Sequence, residues 1–545
     1  MPENEFDRLA GEWTAATLSH RPAASTALGI HDHDGELGDR SREAIEGHGR
    51  TLRGFLRWLE QIDPATLSVE ERREHELLRR RILWELITIE DLTTWRTSPG
   101  IYLNTIGAGC NGLIIRDFAP IADRARSVVS RLRQAPHLLE QAKTNLDGCP
   151  RPYVETAVEQ AAGVRLLLQR DLPAALSGLA DSTLRAEFED AQRAATEALD
   201  AFAAWLKDDL LPRSDGDYAY GADRYEKLLA YTDFVERPIE ELERRGRDDL
   251  RACQERLREL ASQIDASVSA GEVVDRIAQD HPTAERLLPD TEALLEELRQ
   301  FCIDARLVTM PTEVRIGVAE TPSFAATTTQ AACSTPGPFE TKATEAYYYV
   351  TPPHPSWPPE RAEAYLKFFN RHTLCGVSAH EAYPGHYVHI SWLRKNQRKI
   401  PHFLMTTTAV EGWAHYVEKV MIEAGYGGGD PRFEMMQLRE ALLRLCRYLA
   451  SIGLHTQGWT YDESVAFFEK EGFATKPIAE RETRRGQIGP NYYAYTLGKH
   501  EILSLREKMK AKHGARFDLL AFHDAFMKLP YPIPMIEQQL LCQEA

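Results

Sequence analysis

Five of the 18 histidines, His380, His386, His389, His402 and His415, fall within 36 residues, where an even spread would put about one. The segment Ser378–Glu418 reads SAHEAYPGHYVHISWLRKNQRKIPHFLMTTTAVEGWAHYVE. Imidazole nitrogens and carboxylate oxygens bind divalent metals, and the same groups move protons at neutral pH. Metal-assisted hydrolysis is the chemistry such a cluster suits.

Spacing sharpens this. Zinc hydrolases commonly carry His-Glu-x-x-His on one helix, with both histidines on one face and the glutamate over the attacking water. Here His380-Glu381 is followed by His386, six positions after the first histidine. On an unbroken helix six residues turn by about 240° and rise about 9 Å, so the two rings would face apart. Pro384-Gly385 lies between them. Proline removes a backbone donor and glycine frees the backbone, so a break there can return His386 to the face of His380. Glu411 and His415 follow on a second predicted helix, Thr407–Ile422. Glu411 is the expected third ligand, because His₂Glu leaves one position open, as a catalytic zinc site requires. The same set is compatible with iron or manganese. His389 is an alternative ligand or a supporting group. His75-Glu76 has no second histidine near it and carries no such reading. A buried, hydrogen-bonded histidine in a helix bundle would also account for any single member of the cluster.

The elements that must position these groups are mostly helical. Apolar residues recur at three and four positions over Thr51–Leu59, Glu70–Trp95, Pro120–Leu146, Val154–Leu172, Thr183–Leu210, Pro238–Ile264 and Thr283–Ile303. The pattern changes near 307. Thr312–Val318 alternates like a strand, Thr321–Thr341 reads as loop, and Glu345–Val350 is a second strand rich in tyrosine. Five prolines between 352 and 359 precede a return to helix that lasts to the end. The expectation is a mainly α protein with one small β-sheet near the site. A helical region 1–306 would wall a cleft and 307–545 would carry the catalysis, with no clean linker between them.

Composition sets outer limits. The 545 residues carry 65 Lys+Arg against 82 Asp+Glu, a formal net charge of −17. This balance disfavours nucleic acid and anionic membrane surfaces as partners. No run of apolar residues is long enough to span a bilayer. The acidic start lacks the pattern of a signal peptide. Eight scattered cysteines include no C-x-x-C pair, so a cytoplasmic setting with free thiols is expected. Oligomeric state is not legible.

The segments HEAYPGH (His380–His386), EGWAHY (Glu411–Tyr416), YYYVTPP (Tyr347–Pro353), RYLASIGLHTQGWTYDESVAFF (Arg447–Phe468), YAYTLGKHEILSLRE (Tyr493–Glu507) and ALGIHDHDGELGDRS (Ala27–Ser41) resemble the bacterial family Domain of Unknown Function 885. That family is similar in fold to the carboxypeptidase Taq metallopeptidases. The resemblance implies a large helical zincin-like fold and a zinc-dependent peptidase with one ion per chain. His380, His386 and Glu411 match the ligands, and Glu381 matches the catalytic glutamate. It departs at Tyr387, where the family often has a second histidine, and at His415, where an apolar residue is usual. His415, one turn from Glu411, is a candidate fourth ligand or supporting group.

On this reading Glu381 takes a proton from water and passes it to the leaving amine. An oxyanion needs a further donor, for which Tyr495, Tyr492, Tyr493, His455 and Arg484 are candidates. Tyr495 leads because it matches the family's late tyrosine before Leu-Gly. Tyr347–Val350, including Tyr348, could be an edge strand that pairs with an extended substrate. The analogy with carboxypeptidase Taq limits substrates to short peptides. A zinc hydrolase of a non-peptide amide or ester, and a helical binding protein that has lost catalysis, are the alternatives.

Overall fold

The computed structural model describes residues 4–322, 326 and 329–542. The first three residues of the acidic start and part of the Thr321–Thr341 loop lie outside them. Helix takes 72% of the chain and strand 2%, which makes the protein mainly α.

Four helices of the first half share one core: α1 (Gly100–Gly112), α2 (Ile121–Asn145), α3 (Arg151–Leu166) and α4 (Ser182–Trp205). In α4 the buried residues Leu184, Phe188, Ala191, Ala195, Leu199 and Phe202 recur at three and four positions, the stripe that faces a core. Asp181 starts the helix by accepting the Thr183 and Leu184 amides. Two long helices follow, α5 (Ile239–Asp265) and α6 (Leu287–Asp304).

The sheet has three strands: β1 (Gly317–Glu320), β2 (Ala331–Ser334) and β3 (Tyr347–Val350). Their order is β1-β3-β2, with β1 parallel and β2 antiparallel to β3. Two expectations change here. Of the stretch expected as a strand, Thr312–Val318, only Gly317 and Val318 are in one, which runs on to Glu320. The stretch read as loop contains β2, whose Ala-Ala-Cys-Ser has no β-branched or alternating signal and is held by pairing with β3. As a result Tyr347–Val350 is the central strand and not an edge. Tyr348 and Val350 point into the core, while the Tyr347 and Tyr349 rings stack on the other face.

The second half then supplies α7 (Arg371–Glu381), α8 (His386–Leu393), α9 (Thr407–Glu423), α10 (Pro431–Thr456), α11 (Lys476–Ile488) and α12 (Ala494–His513). Asp430 caps α10 and Pro431 occupies its first turn, where the missing amide is harmless. One core cluster joins Phe6, Leu9 and Trp13 of the N-terminal helix Glu5–His20 to Tyr348, Tyr383 and Trp413 around the sheet. Another joins α5 to α10 and to the start of α12. Apolar packing therefore crosses position 306 in both clusters. Among the described residues no helix is long and apolar enough to cross a membrane.

Candidate metal centre

Asn370 caps α7 by accepting the Thr373 amide, and the helix ends on Glu381. The chain turns through Tyr383, a cis-linked Pro384 and Gly385, and restarts as α8 at His386. A β-carbon on Gly385 would stand 1.8 Å from the His380 carbonyl oxygen, so only glycine lets the chain double back this closely. The Trp413 indole donates to the Pro384 carbonyl at 3.0 Å and ties the turn to α9. The break expected from Pro-Gly thus brings the His380 and His386 rings to a centroid separation of 4.7 Å.

Glu411 on α9 completes the group. Its Oε2 lies 3.4 Å from Nε2 of His380 and 3.4 Å from Nε2 of His386. Ligand atoms bound tetrahedrally at about 2.0–2.1 Å stand about 3.3–3.4 Å apart. Glu411 Oε2 is also buried without a hydrogen-bonding partner, an arrangement a cation relieves. The residues fit a divalent metal on both counts. Burial would raise the Glu411 carboxyl, but His386 and His380 outweigh it and hold the group well below the carboxylate range.

The support around His380 was not foreseen from sequence. Its Nδ1 donates to Glu418 Oε1 at 2.8 Å. Glu418 also accepts from Arg444 at 3.1 and 3.2 Å and from Gln437 at 3.3 Å. Burial would raise Glu418, but Arg444 holds it well below its usual range. A carboxylate behind a ligand histidine fixes the ring's orientation and tautomer. Glu418 follows Glu411 by seven residues, two turns along α9, and that spacing was the available signal.

Glu381 stands beside the two histidines: atoms of His380, Glu381 and His386 able to bind a metal lie within 4.8 Å of one another. Its Oε2 accepts the Cys333 amide of β2 at 2.8 Å. Tyr495 also reaches the site, its ring 6.2 Å from that of His380. Burial and the Glu411 charge push its phenol up, so it keeps its proton.

The other expected groups lie elsewhere or face away. His415 donates from Nδ1 to Glu418 at 3.3 Å and has Nε2 3.5 Å from the Lys499 ammonium, so it supports Glu418. His389 is enclosed by Trp413 and Phe526, and burial lowers its pKa to about 3. His402 bonds the Asn396 carbonyl. His455 lies three turns beyond Arg444 on α10, bonded to the Gly486 carbonyl. Arg484 is exposed and its nearest carboxylate is Glu159, at 3.8 Å; Arg485 is the neighbour that approaches Tyr492. Tyr492 donates to Glu482 and Tyr493 to Asp233, which spends both hydroxyls. Tyr348 is fully buried and accepts from Ser378 at 3.3 Å, so it braces α7 and does not face a substrate.

Among solved structures, the chain is similar to a candidate lipoprotein of unknown function from Shewanella oneidensis, at 24% identity and TM-score 0.82, covering 98% of this chain and 99% of that one. A candidate lipoprotein from Colwellia psychrerythraea matches at 17% identity and TM-score 0.81, covering 99% of each chain. These likenesses show a shared fold. No curated protein matches the chain. The model of the bacterial proteins of unknown function DUF885 matches residues 22–540. With nearly its whole length matched, the chain belongs to that family.

Proposed function

We propose that the protein is a metal-dependent peptidase of helical, zincin-like type, hydrolysing amide bonds of short peptides. The observation that carries this is Glu411 Oε2 standing 3.4 Å from the Nε2 atoms of both His380 and His386, with Glu381 beside the two histidines.

A divalent cation, zinc by preference, would be held by those three residues and would supply a Lewis acid that acidifies water and draws charge from a carbonyl oxygen. Glu381 takes the proton of the attacking water and returns it to the leaving nitrogen. The Cys333 amide fixes Oε2 of Glu381, so Oε1 is the atom that takes the proton. Tyr495 donates its hydroxyl proton toward the oxygen that gains charge.

The strand that meets a substrate is β2, not β3. The Thr351 amide donates to the Gln330 carbonyl, and antiparallel pairing alternates along the strand. Cys333 therefore turns both its amide and its carbonyl away from β3, toward Glu381, and an extended peptide pairs with that carbonyl. A short non-peptide amide or ester satisfies the same ligands and is the second reading. The cytoplasm stays the proposed setting on the scattered cysteines. The lipoprotein description of the two structural neighbours argues for a lipid anchor instead, and fractionation of cells decides between them.

The test is mass spectrometry of a mixed peptide pool incubated with zinc-loaded protein, with and without a chelator. New fragments that vanish on chelation and return with zinc are expected. Protein that binds less than about 0.2 zinc per chain under conditions where a His₂Glu site fills would overturn the proposal.

A further inference from the structure

A cavity of about 870 Å³ opens between α1 and α3 and is closed on its third side by Ser334, Thr335 and the residues after them. It begins one residue past Cys333, the backbone that touches Glu381. Its walls are largely apolar and include Ala108, Ile115, Ala162, Val164 and Leu166. Leu166 is 40% exposed, one of few large apolar side chains so uncovered among the described residues.

The cations at this cavity are engaged. Arg116 donates to the Ser334 carbonyl at 2.9 Å, the Ser334 hydroxyl at 2.8 Å and the Glu345 carbonyl at 3.1 Å, so it braces β2 and β3. His31 is bonded to Asp34 and Glu340. No unengaged cation is left there, among the described residues, to seize a terminal carboxylate. What remains is concave apolar surface of a size that takes several side chains.

Direction follows from the strand. β2 runs from Ala331 through Cys333, whose amide touches the base, to Ser334 and the cavity. A peptide paired antiparallel to its outer edge places the residues N-terminal to the scissile bond on the Ser334 side. We propose that this cavity is the subsite for large apolar side chains on the N-terminal side of the cut, so that the substrate class is peptides with leucine- or phenylalanine-like residues there. The inference rests on the peptidase reading above.

The test compares peptides carrying Leu, Phe, Gly or Asp N-terminal to the cut, with wild-type, Ala108→Phe and Leu166→Asp proteins whose melting is checked first. Both substitutions sit on exposed wall positions, so the fold is retained. Wild-type kcat/KM for Leu and Phe peptides is expected to exceed that for Gly and Asp by about tenfold or more. Ala108→Phe and Leu166→Asp should each remove about tenfold for the Leu and Phe peptides, and change the Gly peptide by less than about twofold. No wild-type preference, or equal losses on both sets, overturns the proposal. If zinc-loaded protein cuts no peptide, the peptidase reading fails separately. The cavity is then judged by binding of fluorescein-labelled acetyl-Leu-Leu-Leu-Gly-Gly-Gly to the Glu381→Gln protein. A Kd raised about tenfold by adding Ala108→Phe supports it, and an unchanged Kd overturns it.

Discussion

Gly412 and Gly498 are in backbone contact: a β-carbon on Gly412 would lie 2.4 Å from the Gly498 α-carbon, and one on Gly498 would lie 2.1 Å from the Thr408 carbonyl oxygen. This crossing of α9 and α12 sets the reach between Glu411, one residue before the first glycine, and Tyr495, one turn before the second. Gly412→Ala has no flexible neighbour to displace, so the helices must separate. Loss of about 1–3 kcal/mol in stability is expected by denaturant titration, with weaker metal binding as Glu411 is carried off the histidines. Gly54→Ala is the control, since its β-carbon meets nothing within 4 Å and its site is a helix interior. That change should stabilise by about 0.5–1 kcal/mol. Equal effects at the two positions would remove the crossing as the positioning device.

Glu418 joins His380, His415, Gln437 and Arg444 in one buried cluster. Replacing it with alanine strands the Arg444 charge and frees the His380 ring. The expected outcomes are a loss of about 3–5 kcal/mol and metal affinity reduced about 10–100-fold. The double variant Glu418→Ala/Arg444→Met should recover much of the stability but none of the affinity, because the ring stays unsupported. Isothermal titration with zinc and chemical denaturation separate the two effects. Recovery of both together would mean that Glu418 acts on the fold alone.

The helical character and the kink were legible because their causes are local. Three-and-four periodicity dictates a helix, and Pro384-Gly385 dictates a break wherever it stands. The approach of Glu411 to the two histidines was legible, because a histidine pair suited to a metal calls for a third acidic partner. What the sequence hid depends on distant backbone. β2 exists because β3 offers it hydrogen bonds, and four small residues gave no sign of it. That one strand changed the place of Tyr348, which moved from a presumed edge to the core. Glu418 was hidden for a different reason, since a lone glutamate on a helix is ordinarily solvated, and only packing against α7 and α10 makes it a partner of His380. Tyr492, Tyr493 and Tyr495 look alike in sequence. Helical rotation and the partners Glu482 and Asp233 tell them apart.

On the proposed reading Glu381 and Glu411 border one ion site and should fail in different ways. Glu381→Gln keeps shape and an acceptor for the Cys333 amide but removes the base. Turnover is expected to fall by at least about 10²-fold with metal content unchanged. Glu411→Ala removes a ligand and should lose the metal first, with turnover following its occupancy. Metal analysis beside single-turnover kinetics checks both. Undiminished turnover in Glu381→Gln would assign the proton transfer to another group.

Acid sensitivity is expected to arise away from the site, where His20 and His48 stack at 3.8 Å. His20 Nε2 faces the Arg40 guanidinium at 3.5 Å, and His48 Nε2 stands 3.9 Å from Glu85, which Arg21 and Arg81 already hold. Burial first, then the neighbouring His48, Arg40 and Arg21 charges, lowers His20 to about 3. Burial, against an opposing pull from Glu85, lowers His48 to about 4. An unfolded histidine titrates near 6.5, so below that pH the unfolded chain binds protons that the folded pair refuses. The stabilisation is complete above about pH 6.5 and falls as pH drops toward 4 and then 3. By pH 5 the loss is on the order of 2 kcal/mol for each ring. Melting curves of wild type and His48→Gln between pH 8 and pH 4 report it. The variant should be less stable at pH 8 and should lose stability more slowly on acidification, whereas parallel curves would place the acid-sensitive groups elsewhere.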